Sequence, residues 1–188
     1  MKPILISGAL INGIVQDLLI EENRIARIAP FIPQKEEYDV LEGAHRVVVP
    51  GMANTHTHAA MTLFRGYGDD LPLMPWLEDY IWPVEAHLTE EDIYWGVRLA
   101  CLEMIRTGTT LFLDMYASPL ATAQAVEDSG IRAVVGCTLF DRGDEARAKL
   151  DRDNCYQYLK DFEQYSDRVI YSIAPLSLIH ISEPTRPY

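Results

Sequence analysis

Two histidines one residue apart close the stretch Val47-Val48-Val49-Pro50-Gly51-Met52-Ala53-Asn54-Thr55-His56-Thr57-His58. Alternate side chains of a strand share a face, so His56 and His58 lie on the same side and can close on one ion. Neutral imidazole is the commonest protein metal ligand, and zinc takes nitrogen, sulfur or oxygen donors with water completing its shell. Two ligands alone hold a metal weakly. A bare His-x-His reads more simply as surface or hydrogen-bonded histidines at a strand end. Here the context favours a metal: a β-branched run precedes the pair, Pro50-Gly51 breaks it, and the small residues Ala59-Ala60 follow.

The elements that must position these histidines are legible as patterns. Residues 4 to 30 read as short strands, Ile4 to Ser7, Val15 to Ile20 and Ile25 to Ile28, with turns at Asn12-Gly13 and Glu22-Asn23. Asn-Gly between apolar runs is a strong hairpin signal because both residues tolerate positive φ. Residues 31 to 45 read as a loop and Arg46 to Val49 as a returning strand. Beyond the histidines helices and strands alternate, the pattern of a parallel sheet or βα-barrel. Thr89-Glu90-Glu91-Asp92 opens a helix, with Thr89 as cap and Asp92 at the capping-box position, and Gly108 ends it. Thr109 to Met115 is a buried strand, Ser118 to Ser129 a helix closed by Gly130, and Ile131 to Phe140 a strand. Asp144 to Tyr165 is a helix and Val169 to Ala174 a strand. Four β/α steps are half of a barrel that normally has eight strands in ~250 residues. Such a half leaves two sheet edges open.

Pro50 to His58, with Met61 to Asp70, Leu71-Pro72-Leu73, Trp76-Leu77-Glu78 and Pro83-Val84-Glu85, resembles the amidohydrolase superfamily. The branch it resembles contains methylthioadenosine/S-adenosylhomocysteine deaminases, with guanine deaminases and triazine-type chlorohydrolases as relatives. The resemblance runs from about Leu5 to Pro175. It implies an α/β fold, the N-terminal half of a (β/α)8 TIM-type barrel preceded by part of a small β-sandwich. The segments are 1–48 for the partial sandwich layer, 49–175 for the first half of the hydrolase barrel, and 176–188 for a tail foreign to the family. It further implies that His56 and His58 ligate one divalent metal, zinc, and that hydroxide formed there attacks the amine-bearing carbon of an adenine-type ring. Glu85 corresponds to a carboxylate that accepts hydrogen bonds from ribose hydroxyls, and Trp76 to an aromatic wall of the purine pocket. From composition alone, Glu85 reads as a solvated acid and Trp76 as core packing.

The family's third histidine belongs in an Ala-Pro-His-Ala type motif, but this chain reads Ala174-Pro175-Leu176-Ser177. His180 does not fit that register, and Pro184 and Pro187 prevent residues 176 to 188 from continuing a barrel helix. The tail therefore reads as non-native sequence. The general acid/base and half of the ligands are missing, so no catalytic residue is assigned and the chain is expected to be an inactive truncation. A rival of another class is a non-catalytic fragment acting through its open sheet edges, for instance with its own copy.

Asp114, at the end of the second strand, reads as a structural hydrogen-bonding group. Arg65 and Asp69-Asp70 read as loop-ordering, and Arg147 receives no role. The 188 residues are 48% hydrophobic and 23% charged, enough for one sizeable core. A net charge of -12 argues against nucleic acid or an anionic membrane as the principal partner. The partner implied is a small purine nucleoside-like substrate, with the oligomeric state left open. Cys101, Cys137 and Cys155 show no Cys-x-x-Cys spacing, so neither a disulfide framework nor a cysteine zinc site is expected. Gly8 and Asn12-Gly13 punctuate the apolar start, which argues against a signal peptide and for a cytoplasmic protein.

Overall fold

The computed structural model describes residues 2–139 and 144–175. Asn12 and Gly13 take φ of 50° and 81°, the conformation of a two-residue hairpin turn whose twist suits its strands. They join β1 (Ile4–Ile11) to β2 (Ile14–Glu21), with Ile11 opposite Ile14. A second tight turn, with Glu22 at φ 54°, leads to β3 (Arg24–Ala29). Two parallel neighbours complete the sheet on the other side of β1: β4 (Asp39–Glu42) and the short β5 (Val47–Val48). The sheet buries Leu5, Leu19 and Ile32 in one cluster and Ala9, Ile11 and Leu18 in another.

The strand β4 corrects the reading of residues 31 to 45 as a loop. Its four residues, Asp-Val-Leu-Glu, are all exposed and carry no alternating pattern. What makes them a strand is pairing with β1, from Ile4 against Asp39 to Ser7 against Glu42, which local sequence does not encode. These strands form one mixed sheet.

A compact unit ends at Pro50 and another begins at Gly51. The second holds β6 (Met52–Thr57), β7 (Thr109–Met115), β8 (Arg132–Leu139) and β9 (Val169–Pro175), all parallel and adjacent in that order. Between β6 and β7 run a 3-10 turn (Ala59–Phe64), α1 (Leu73–Pro75), a π-helical turn (Trp76–Ile81), α2 (Trp82–Glu85) and α3 (Glu90–Thr107). Then α4 (Pro119–Ser129) precedes β8 and α5 (Glu145–Asp161) precedes β9. Thr89 and Asp92 form the reciprocal capping box, the Thr89 amide donating to Asp92 Oδ2 at 2.9 Å. The final turn expected in the last helix, Phe162–Gln164, is instead a 3-10 turn.

Helices cover one face of this sheet. Phe112, Ala133, Val135 and Val169 pack there against Ile93, Val97 and Cys101 of α3 and Ala123 and Val126 of α4. The four strands do not close on themselves among the described residues; β6 and β9 stand at the two edges. Cys137 of β8 is disulfide-bonded to Cys155 of α5 across a Cα–Cα distance of 5.8 Å. That pairing corrects the expectation that the cysteines form no disulfide. A strand and the helix that follows it lie side by side, whatever the spacing of the cysteines along the chain.

Candidate functional site

Parallel strands linked by helices place their C-terminal ends, and the loops after them, at one rim of the sheet. His56 lies near the end of β6 and His58 immediately follows it. Their rings are 5.1 Å apart, edge to face at 75°. The structure thus brings together the two imidazoles that strand periodicity places on one face.

His58 is fixed by its neighbours. Its Nδ1 lies 2.6 Å from the carbonyl oxygen of Met115 at the end of β7. A carbonyl only accepts, so Nδ1 carries the proton, and in the neutral imidazole Nε2 then keeps its lone pair. This is the arrangement by which metal-binding histidines are usually oriented.

Asp114 secures the chain on either side of His58. Its Oδ1 accepts from the Ala59 amide at 2.7 Å and from Thr57 Oγ1 at 2.9 Å, while the same hydroxyl lies 2.8 Å from the Leu113 carbonyl. The side chain is fully buried and Oδ2 has no hydrogen-bond partner among the described residues. Burial raises the Asp114 carboxyl above the usual carboxylate range, against the lowering effect of the Ala59 and Thr57 bonds.

Glu85 ends α2 and is half-buried. The Tyr116 hydroxyl donates to Glu85 Oε1 at 2.5 Å, and the Tyr116 ring is 6.3 Å from that of His58. Burial raises the Tyr116 hydroxyl's pKa, with the bond to Glu85 and its charge adding to the effect, so it is a neutral donor. Trp76 opens the π-helical turn, a distortion often found at functional sites. Its indole N–H donates to the Tyr67 carbonyl at 2.9 Å. It borders a cavity of about 530 Å³ with Met61, Phe64, Tyr67 and Leu71, whose walls include neither histidine nor Glu85.

Arg65 makes a two-pronged ion pair with Glu103 of α3, at 3.0 and 2.7 Å, and Arg147 pairs with Asp151 at 2.9 Å. His180 and residues 176 to 188 lie outside the described residues. Reading the sequence passed over Tyr116 and the Met115 carbonyl. The available signal was position: both fall at the end of a strand that begins after Gly108, at the same rim as His58.

No group of three or more His, Cys, Asp or Glu side chains suited to a metal occurs among the described residues. The donor chemistry of His56 and His58 nevertheless fits part of a zinc shell: two adjacent imidazoles, one with its tautomer set for coordination through Nε2.

The amidohydrolase family model matches residues 47–178. The chain belongs to that family. Among curated amidohydrolase-like relatives, it is 44% identical over 174 residues to a 5'-deoxyadenosine deaminase of Methanocaldococcus jannaschii, covering 92% of this chain and 41% of that protein. It is 42% identical over 183 residues to 5-methylthioadenosine/S-adenosylhomocysteine deaminase 1 of Archaeoglobus fulgidus, covering 95% and 42%. The crystal structure of an adenosine deaminase from Xanthomonas campestris with bound zinc superimposes with a TM-score of 0.79 at 28% identity, over 92% of this chain and 42% of that one. This amidohydrolase chain therefore spans about two fifths of the length of the relatives it matches. No described helix is long and apolar enough to cross a membrane.

Proposed function

We propose that the chain is the front half of a zinc-dependent hydrolytic deaminase of adenine-type nucleosides, with 5'-deoxyadenosine, methylthioadenosine and S-adenosylhomocysteine as the substrate class. The observation that carries this is the His56–His58 pair at the rim of a parallel sheet, with His58 Nδ1 engaged by the Met115 carbonyl and Nε2 left free. The likeness to curated deaminases over most of this chain supports the substrate class.

In this reading His56 and His58 supply two ligands of one zinc ion, and segments beyond Pro175 supply the rest. Zinc held there contributes Lewis acidity that makes water a competent nucleophile near neutral pH. Asp114 holds the backbone on both sides of His58, Glu85 accepts hydrogen bonds from the ribose diol, and Trp76 packs its ring on the purine. The 188-residue chain lacks the group that would move protons to the departing ammonia, and is inactive by itself. Residues 176–188 are foreign to the gene.

The exposed apolar surface also supports a missing half. On α3, Trp95, Leu99, Leu102 and Ile105 form an exposed stripe at helical spacing. Contiguous exposed apolar residues of this kind are expected at a surface that another part of the protein covers.

The test is ammonia release by the full-length protein from 5'-deoxyadenosine, methylthioadenosine, S-adenosylhomocysteine, guanine and a chlorotriazine. Zinc-dependent turnover of the adenine nucleosides, abolished by chelation and by His58→Ala, is expected. Preferential release from guanine, or chloride release from the triazine, would move the assignment to the corresponding relatives. Turnover by purified residues 1–188 alone would refute the half-site reading.

A further inference from the structure

Resting on the reading of Glu85 as the ribose contact, we infer that Tyr116 is a positioning residue for substrate specificity: its hydroxyl holds the Glu85 carboxylate in place for a 2′,3′-diol.

Glu85 is the last residue of a helical run that extends from Leu73 through the π-helical turn to the end of α2, where the chain leaves the helix. A glutamate at a helix end has several rotatable side-chain bonds, and a side chain immobilised on binding must lose that freedom. Tyr116 supplies the restraint from a different element. It directly follows β7, and its ring packs against the apolar cluster on the helix-covered face of the sheet. Its hydroxyl donates to Glu85 Oε1 at 2.5 Å. Oε2 accepts no hydrogen bond among the described residues, and an ionised carboxylate has capacity for further donors after the phenol is counted. Both ribose hydroxyls can therefore donate to a carboxylate that is already oriented.

The placement also sets a register along the substrate. The Met115 carbonyl orients His58 and the next residue, Tyr116, orients Glu85. Two consecutive residues at one strand end thus tie the imidazole side of the site to the carboxylate side. A nucleoside whose ring is held near the histidines meets a diol acceptor positioned from the same strand end.

Tyr116→Phe removes the donor and leaves the packed ring. The experiment is carried out in the full-length enzyme. If the reading frame ends at Tyr188, it uses this chain joined at Pro175 to the remainder of the Methanocaldococcus jannaschii relative. The substrates are 5′-deoxyadenosine and its 2′,3′-dideoxy analogue. Tyr116→Phe is expected to raise KM for the diol substrate roughly tenfold with kcat unchanged, the size of effect associated with a hydrogen bond to a charged group. The same variant should leave the dideoxy analogue unaffected. In a Glu85→Ala background, Tyr116→Phe should add nothing, because the two residues act as one unit. Equal losses on both substrates, additive losses in the double variant, or no loss at all would overturn the inference. If Glu85→Ala itself fails to distinguish the two substrates, the assignment of Glu85 falls first and the inference falls with it. If Glu85→Ala discriminates and Tyr116→Phe does not, only the role of Tyr116 is lost.

Discussion

The two faces of the four-stranded parallel sheet obey different rules. On one, Phe112 and Val135 are sealed beneath α3 and α4. On the other, neighbours in the same strands stand open, Leu113 at 37% and Ile170 at 50% exposure. Both sets are apolar, so burial here is decided by which face has helices over it. The histidines lie at the rim of this sheet, supported from the sealed side by Asp114 and Thr57. A chain can therefore fix two adjacent imidazoles at a strand end while leaving the apolar face beside them uncovered.

The difference between the faces predicts a hierarchy of effects. Phe112→Ala, on the sealed face, should cost about 3–5 kcal/mol in urea unfolding of the 188-residue chain. Ile170→Ala, on the open face, should cost no more than about 1 kcal/mol in the same chain. In the full-length protein the Ile170 penalty should rise to about 2–5 kcal/mol. If it stays small there, the open face is not covered by the remainder of the protein.

Opening the Cys137–Cys155 disulfide releases α5 from the sealed side of β8. For a loop of 18 residues the loss expected is about 3 kcal/mol, read by comparing unfolding with and without reductant. A cysteine-free double variant insensitive to reductant is the control.

A smaller effect is expected at the start of α3, the helix that supplies much of the cover. Thr89→Ala removes the cap and should cost about 1 kcal/mol, measured as a shift in the unfolding midpoint. The partner Asp92 adds a pH signature. The Thr89 hydroxyl and then its amide hold the Asp92 carboxylate below its ordinary value of 3.8. Its contribution is complete above that value and is lost as pH falls through the lowered one. The stability gap between wild type and Asp92→Asn should therefore be widest near neutrality and close in acid below pH 3.8. A gap that is constant across pH would show that the box does not depend on the charge.

Much of this arrangement was open to a reader of the sequence. The Asn12-Gly13 hairpin, the Thr89 cap with its Asp92 partner, and the glycines closing α3 and α4 are local devices. Each depends on residues within a few positions of one another. The strand-to-helix alternation after His58 follows from hydrophobic period in the same way. The β4 strand lay hidden because Asp39–Glu42 has no pattern of its own and is held by β1, more than thirty residues earlier in the chain. The disulfide was hidden for a like reason, since its two cysteines meet only when α5 packs on β8.

Sequence alone determined that two imidazoles share one face at a strand end, because side-chain alternation is a property of the backbone. It also determined that α3 and α4 form and that Gly108 and Gly130 stop them. Only the tertiary structure decided which nitrogen of His58 is left free, because that depends on a carbonyl 57 residues away. It alone also brought Tyr116 onto Glu85 from 31 residues along the chain. Hydrogen bonds between separate strands and helices are fixed by how those elements pack, and packing is a property of the whole fold.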